Sequence, residues 1–232
     1  MKSAVRENLS QSVEDYLKAI YELTRVHGRA STNQIADALG VTPASVSGMI
    51  KKLADMDPPL VDYRRHQGVL LTGDGERVAL EMLRHHRLVE MYLHEKLGYE
   101  WHEVDAEAEK LEHFISEDFE ERIAQALGNP THDPHGDPIP TREYRMPETS
   151  SHSLHELSPG DEAVIQRVVD SDPKLLRYLQ DLGLVPRACI SVLDYSPFDG
   201  NLSVQISGQT GKVVLGPSIT RQIFVELINE LD

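Results

Sequence analysis

Two short stretches of the sequence concentrate side chains that bind metal ions. Glu109, Glu112 and His113 stand three and four residues apart, so a helix would place them on one face. His86 and Glu90, four residues apart, would do the same on a preceding helix. Oxygen and nitrogen donor atoms packed this closely repel one another unless a cation lies between them. The two stretches therefore predict a divalent-metal site between two neighbouring helices.

The donor types narrow the choice of ion. The set offers oxygen and nitrogen but neither thiolate nor thioether, which favours Mn²⁺ or Fe²⁺ over Cu⁺ or a structural Zn²⁺. Each stretch alone has an ordinary alternative, because solvated helix faces often carry such spacings. An i,i+4 pair of this kind stabilises a helix by only about 0.2–0.5 kcal/mol. The two stretches together favour the metal site.

The overall composition limits the other possibilities. The chain has 232 residues, a net charge of −15 and one cysteine, Cys189. A single cysteine excludes an internal disulfide and is typical of a reducing cytosol, so we expect a cytoplasmic protein. No apolar run approaches the roughly 20 residues of a membrane helix, and the N-terminus lacks the apolar segment of a secretory signal. We expect no membrane partner.

The excess of negative charge lies outside the first 72 residues. They hold nine Lys and Arg against eight Asp and Glu, whereas the remaining residues hold fourteen against thirty. A strongly acidic protein is a poor non-specific partner for nucleic acid, so any DNA-binding surface is expected in this first segment.

The first 72 residues have the pattern of a winged helix-turn-helix. Three helices are expected to begin near Ser12, Ser31 and Thr42, and glycines end the first two. Two strands, 60–63 and 68–72, would flank a turn with two arginines. A small α/β domain with a solvated basic turn is the alternative. The third helix would present a polar, basic face to DNA. The predicted DNA-binding residues are Thr42, Ala44, Ser45, Ser47, Lys51, Lys52, Arg64 and Arg65.

The rest of the chain changes from helices to strands. Long helices are expected over about 74–97 and 104–127, and their apolar surface predicts a two-fold homodimer. Residues 129–153 are rich in Pro, Thr, His and Ser. From Leu154 the apolar period becomes two, which predicts a small SH3-like β-barrel with one inserted helix, 173–182.

The predicted fold class is therefore mainly α with a small β domain. A winged helix-turn-helix DNA-binding domain would span 1–72, and a helical metal-binding and dimerisation domain 73–141. A linker over 142–153 would lead to the C-terminal SH3-like β-barrel, 154–232.

This organisation resembles, along the whole chain, the diphtheria toxin repressor family of metal-dependent transcriptional regulators. The resemblance rests on residues 12–17, 85–90, 109–113 and 132–136, the last followed by the Pro-Ile-Pro of 138–140. One such short match is weak, whereas four in register are specific. The motif at 132–140 is similar to a linker motif of the manganese- and iron-responsive branch of the family.

The resemblance implies two metal sites. The regulatory site would use Asp15, His86, Glu109, Glu112 and His113. The second site would use Glu90, Asp133, His135 and an acidic residue of the C-terminal domain, Asp172 or Asp170, with Asp105 as an alternative partner for Glu90.

Several positions depart from the family pattern. Asp15 and Glu109 stand where iron-type members have methionine and cysteine, which favours manganese as the effector. Asp133 stands where close relatives often have cysteine. Lys18 stands where the two-domain manganese regulators supply another carboxylate, so their paired-metal site is not expected here.

The function implied by the resemblance is repression of genes for manganese or iron uptake and homeostasis. Binding of the divalent metal would order the homodimer for a palindromic operator in double-stranded DNA. Two other functions fit parts of the sequence. A carboxylate–histidine metalloenzyme would leave the winged helix unexplained, and a winged-helix regulator of a non-metal ligand would leave the acidic cluster merely solvated.

Overall fold

The computed structural model describes residues 6, 9–64, 67–169 and 172–228. The chain forms two compact units. The first comprises Met1–His86, Lys110–Ala126 and Pro140–Met146, and the second comprises Arg87–Glu109, Leu127–Ile139 and Pro147–Asp232. In the described part of the chain, no helix has both the length and the apolar character needed to span a membrane.

The first unit begins with the predicted winged helix-turn-helix. Its elements are α1 (Gln11–His27), α2 (Thr32–Leu39), α3 (Pro43–Ala54), β1 (Val61–Arg64) and β2 (Gly68–Leu71). Ser31 and Gln34 form a capping box at the start of α2, and the Thr42 hydroxyl accepts from the Ser45 N–H at the start of α3. Such caps satisfy backbone donors that the first helical turn leaves free. Strands β1 and β2 pair antiparallel.

One hydrophobic core holds these elements together. Leu17 and Ile20 of α1, Ile35 of α2 and Ile50 of α3 are at most 1% exposed and pack in the same cluster as Leu83 of the following helix. Burying side chains of this size stabilises the fold by roughly 1.5–3 kcal/mol each. Helix α1 begins one residue before the expected Ser12, with Ser10 preceding it.

The long helix α4 (Gly73–Leu97) forms as predicted, but the next helix is broken. The expected helix over 104–127 is divided into α5 (Val104–Leu111) and α6 (Glu117–Ala126). The Ser116 hydroxyl accepts from the Phe119 N–H and so starts a new helix with acidic residues in its first turn. Glu112 and His113 consequently lie in the turn that connects the two helices, not on a continuous helix face.

The second unit contains a five-stranded antiparallel sheet. Its strands are β3 (Glu162–Val168), β4 (Cys189–Tyr195), β5 (Leu202–Ile206), β6 (Lys212–Leu215) and β7 (Ile223–Leu227), in the order β6-β5-β4-β3-β7. Helices α7 (Pro173–Leu182) and α8 (Pro217–Thr220) and a 3-10 turn, Leu154–Glu156, accompany it. Helix α7 has the predicted bounds.

The predicted SH3-like domain is confirmed, and its sheet is open and does not close into a barrel. Among the described residues, β6 and β7 are the outer strands and do not pair with each other. Strand β6 has four residues and is followed by Pro217 and helix α8, so the chain leaves the sheet there. Strand β7 then pairs with β3 at the opposite edge.

Candidate metal centre and DNA-binding face

Helix α1 brings two carboxylates to the ring of His113. Asp15 Oδ1 lies 2.9 Å from His113 Nε2, and Glu14 Oε2 lies 2.7 Å from His113 Nδ1. The apolar stripe of α1 packs in the winged-helix core, and Glu14 and Asp15 lie beside that stripe. One donor atom from each of Asp15, Glu112 and His113 lies within 4.8 Å of the others. Residues nearly a hundred positions apart thus share one cluster.

Glu112 is the buried centre of this cluster. It is fully buried, its Oε2 is in hydrogen-bonding contact with His86 Nδ1, and its Oε1 accepts from the Lys18 ammonium at 2.8 Å. Burial opposes ionisation, but the hydrogen bond with His86 and the charge of Lys18 outweigh it and lower the pKa of Glu112. The carboxylate is therefore ionised at neutral pH, and nearby cationic groups hold it in that state.

His113 carries positive charge in this arrangement. Burial lowers the pKa of an imidazole, but the hydrogen bonds with Asp15 and Glu14 outweigh that cost and raise the pKa of His113 to about 9. Both ring nitrogens then donate, Nε2 to Asp15 and Nδ1 to Glu14. A metal on Nε2 would replace the proton shared with Asp15, while Glu14 continues to orient the ring.

Glu14 was not predicted as a functional residue. It is 5% exposed, and Arg6 Nε donates to its Oε1 at 2.7 Å. Burial raises the pKa of a carboxyl group, but the hydrogen bonds with His113 and Arg6 lower the pKa of Glu14. A buried, ionised carboxylate on the far nitrogen of a metal-binding histidine fixes its tautomer and ring orientation. Its only sequence signal is its position next to Asp15.

Glu109 is the remaining predicted ligand of the regulatory site. It is exposed near the end of α5 and belongs to the second unit. Its role as a ligand stays a prediction.

The second predicted site gathers three buried residues in the second unit. One donor atom from each of Glu90, Asp133 and His135 lies within 4.8 Å of the others, and the three residues are at most 5% exposed. The carbonyl oxygen of Trp101 lies 2.7 Å from His135 Nε2 and can only accept, so Nε2 carries the proton. His135 Nδ1 lies 3.7 Å from Glu90 Oε1.

The backbone of the linker motif shapes this second cluster. Asp133 Oδ1 accepts from the N–H groups of His135 and Asp137, and Asp133 Oδ2 lies 3.6 Å from Arg87 Nε. Gly136 has a φ of +89°, and a Cβ there would overlap the carbonyl oxygen of Gln166. The motif therefore requires glycine at this position.

Of the two predicted C-terminal ligands, Asp172 is not part of this cluster. Asp172 is exposed, and its carboxylate caps α7 by accepting from the Lys174 N–H at 2.9 Å. Asp172 immediately precedes Pro173, which is at the first helical position, so capping explains the residue. Asp170 lies outside the described residues. Asp105, the predicted alternative partner for Glu90, is exposed on α5.

The predicted DNA-binding residues form an exposed face of the winged helix. All those on and just before α3 are exposed: Thr42, Ala44, Ser45, Ser47, Lys51 and Lys52. At the wing, the Arg64 side chain is 63% exposed, and Arg65 lies outside the described residues. The opposite side of α3, which includes Val46 and Ile50, is buried. The helix can thus present its polar side to a groove without losing its packing.

These features define a class of protein, a winged-helix DNA-binding protein with clusters of carboxylates and imidazoles that could hold metal ions. Sequence comparison agrees at each part of the chain. Residues 8–69 match the "Iron dependent repressor, N-terminal DNA binding domain", 72–141 the "Iron dependent repressor, metal binding and dimerisation domain", and 152–227 the "FeoA domain". The chain belongs to the diphtheria toxin repressor family of metal-dependent transcriptional repressors.

Similar proteins match nearly the whole chain or half of it. The iron-dependent repressor IdeR of Mycobacterium leprae is 33% identical over 95% of this chain and 99% of its own length. The HTH-type transcriptional regulator MntR of Bacillus subtilis strain 168 is 35% identical over 50% of this chain and 80% of its own length.

Solved structures give the same result for the fold. A manganese-dependent transcriptional repressor in complex with manganese has a TM-score of 0.83 and 38% identity, covering 93% of this chain and all of its own. ScaR with bound Cd²⁺ has a TM-score of 0.78 and 36% identity, covering 93% of this chain and 99% of its own.

Proposed function

We propose that this protein represses genes for manganese or iron uptake and homeostasis when the metal is plentiful. The observation that carries the proposal is the 2.9 Å contact between Asp15 of the winged helix and His113, beside the buried Glu112. Through this contact, occupancy of the centre acts directly on the helix that supports the DNA-binding face. The proposed ligands of the regulatory ion are Asp15, His86, Glu109, Glu112 and His113.

The residues present fit a divalent cation. Asp15 and Glu112 are carboxylates held close together, and His113 and Lys18 supply the positive charge that this arrangement requires. A bound divalent cation would supply that charge. His113 would then have to give up its Nε2 proton, while the hydrogen bond of Glu14 to Nδ1 would keep the ring in place.

Manganese is the proposed effector, with iron as the alternative. The donors are carboxylates and imidazoles, and neither Cys nor Met belongs to the set, which suits Mn²⁺ or Fe²⁺. Similar proteins of known structure include manganese-dependent repressors. A second ion would bind at Glu90, Asp133 and His135, with an acidic residue of the C-terminal domain remaining the proposed fourth ligand.

The proposed target is a palindromic operator bound by a homodimer. Two copies related by a two-fold axis would place their α3 helices in successive major grooves about 34–36 Å apart. Phe114 is 75% exposed and Phe119 48% exposed, so each copy has apolar surface available for the dimer. In this proposal, residues 1–72 bind DNA and residues 73–141 bind the metal and form the dimer. Residues 142–153 are a linker to the SH3-like domain, 154–232. Such a protein acts on DNA in the cytoplasm.

Metal and DNA are coupled in this mechanism because both favour the same position of the winged helix. Each ligand must then raise the affinity for the other by the same factor. The basic residues of the DNA-binding face, Lys51, Lys52, Arg64 and Arg65, would neutralise phosphates and make binding dependent on salt.

The Asp15→Ala variant tests the proposal. Fluorescence anisotropy with a palindromic promoter fragment should show Mn²⁺-activated binding by the wild-type protein that a chelator reverses. In Asp15→Ala, the gain in DNA affinity on adding Mn²⁺ should be at least tenfold smaller, because α1 no longer contributes a ligand. Light scattering should still show a dimer. Glu22→Ala, an exposed acidic position on the same helix, is the control.

Two results would contradict the proposal. Binding to the fragment that is insensitive to chelator in the wild-type protein would exclude a metal switch. Full activation of Asp15→Ala would show that Asp15 does not couple the centre to the winged helix.

A further inference from the structure

One aspartate and two arginines lie together at the base of the wing, the hairpin of β1 and β2. Asp62 and Arg64 are two residues apart on β1, so their side chains point to the same face of the strand. Arg29 precedes α2 in the chain. Asp62 Oδ2 lies 3.4 Å from Arg64 Nε and 4.0 Å from Arg29 Nη2. We call these three residues the wing cluster.

The backbone holds Arg29 against the wing. The next residue, Ala30, forms a β-bridge with Val69 of β2, and each N–H donates to the other's carbonyl oxygen, at 3.1 and 2.8 Å. Gly68 has a φ of +87°, and a Cβ there would lie 2.8 Å from the Ala30 carbonyl oxygen and 3.3 Å from Arg29 Cβ. Glycine permits this close approach. Arg29 therefore stays beside the wing whether or not its side chain is paired.

The guanidinium group of Arg29 lacks hydrogen-bond acceptors. Its Nε and Nη2 are buried and have no hydrogen-bond partner among the described residues. The Asp62 oxygen at 4.0 Å is too distant for a hydrogen bond. Arginine binds a carboxylate or phosphate oxygen at about 2.7–2.9 Å. The Arg29 side chain is 29% exposed, so it can turn towards an acceptor that arrives from solvent.

Asp62 serves two arginines with one oxygen atom. Both distances to Asp62 Oδ2 exceed that of a charge-assisted hydrogen bond, and the Asp62 side chain is 47% exposed. Exposed ion pairs of this kind add little to stability. One carboxylate also neutralises only one of the two positive charges. The pairing is therefore weak enough for phosphate groups of DNA to replace it.

We propose that Arg29 is a further phosphate contact of the DNA-binding face, and that Asp62 takes the place of DNA phosphates in the unbound protein. On binding, Arg29 and Arg64 exchange the shared carboxylate oxygen for phosphate oxygens. The charge of Asp62 then faces the phosphates and opposes binding. Phosphate contacts do not read sequence directly, so Asp62 lowers the affinity for DNA of any sequence.

This inference rests on the part of the proposed function that places the wing on DNA. It does not depend on the metal centre, because none of the three residues is a proposed ligand. Neither Arg29 nor Asp62 is among the DNA-binding residues predicted from the sequence.

The test is DNA binding by the full-length protein with Mn²⁺ over a range of salt concentrations. Fluorescence anisotropy compares a palindromic promoter fragment with an unrelated fragment of equal length. Arg29→Gln should weaken binding to both and lower the slope of log K against log salt by about one, because one phosphate contact is lost. Asp62→Asn should strengthen binding to both by roughly threefold to tenfold, because a negative charge next to phosphates is removed.

Two controls separate exchange from net charge and from folding. Asp55→Asn removes the same charge at the C-terminal end of α3, away from the end that contacts bases, and should change the affinity by less than about twofold. In the double variant, the gain from Asp62→Asn should shrink when Arg29→Gln is already present, because the two residues are coupled. Circular dichroism shows whether each variant is folded.

Three results would overturn the proposal. An unchanged salt slope in Arg29→Gln would remove Arg29 from the interface. Unchanged or weaker binding by Asp62→Asn, or an equal gain from Asp55→Asn, would show that Asp62 does not compete with phosphates. Binding by the wild-type protein that ignores a chelator would contradict the metal switch alone, since the comparisons among these variants would still hold.

Discussion

Replacing Lys18 with methionine should tighten Mn²⁺ binding at the regulatory centre. The Lys18 ammonium lies 2.8 Å from Oε1 of Glu112, a proposed ligand. It therefore neutralises a carboxylate that the ion would bind, and it stands close to the position of the ion. Oxygen ligands lie about 2.1 Å from a small divalent ion, which places the ion roughly 5 Å from the ammonium. The amino group and the ion therefore compete for one carboxylate.

The size of this effect follows from Coulomb's law. A divalent ion and an ammonium about 5 Å apart repel by about 7 kcal/mol at an effective dielectric constant of 20, and by about 2 kcal/mol in water. The Lys18 side chain is 12% exposed and can rotate towards solvent, so the lower figure sets the expectation. About 2 kcal/mol corresponds to roughly a 30-fold lower Kd.

Isothermal titration calorimetry of the full-length protein with Mn²⁺ measures this change. Lys18→Arg keeps the charge and should bind within about threefold of the wild-type protein, since less than 1 kcal/mol changes. Lys51→Met removes a lysine from the exposed side of α3 and should leave the Mn²⁺ affinity unchanged. Equal or weaker binding by Lys18→Met would refute the competition between the ammonium and the ion.

Two further predictions concern pH and DNA. Because the pKa of His113 is raised to about 9, the metal must displace a proton from it. The Mn²⁺ affinity should therefore rise by up to about tenfold per pH unit between pH 6 and 8. A constant affinity over this range in calorimetry would contradict the assignment of His113 Nε2 as a ligand. Lys51→Met should weaken operator binding and lower the slope of log K against log salt by about one, because one phosphate contact is lost, and an unchanged slope in anisotropy titrations would remove Lys51 from the interface.

Local signals made the winged helix predictable. Ser31 and Gln34 form the capping box that their spacing indicates, Thr42 and Pro43 start α3, and Gly40 adopts the left-handed conformation that ends α2. Each of these features acts within a few residues, so the sequence reveals it directly. The break between α5 and α6 had an equally local signal in Ser116 and the acidic residues after it, but the apolar pattern continued across the break and concealed it.

Features that depend on distant contacts were harder to predict. The open edge of the sheet depends on which strand β7 pairs with, and no local pattern specifies a partner some sixty residues away along the chain. The proximity of Asp15 to His113 came from the family resemblance and not from spacing. The roles of Glu14 and Arg6 could not be predicted, because each depends on a side-chain contact across the folded unit. For Lys18, the resemblance indicated a position at the metal site but not its contact with Glu112.

The two-sided use of α1 has a consequence for building chimeric sensors. Leu17 and Ile20 on one side of this helix belong to the winged-helix core, whereas Asp15 and Lys18 contact the metal centre. A graft of the entire first 72 residues from another regulator would therefore exchange part of the sensing apparatus together with operator recognition. A graft limited to residues 30–72 would exchange α2, the recognition helix α3 and the wing, and would leave α1 in place. The position that separates metal sensing from operator recognition thus lies after the first helix, inside the DNA-binding domain and not at its border.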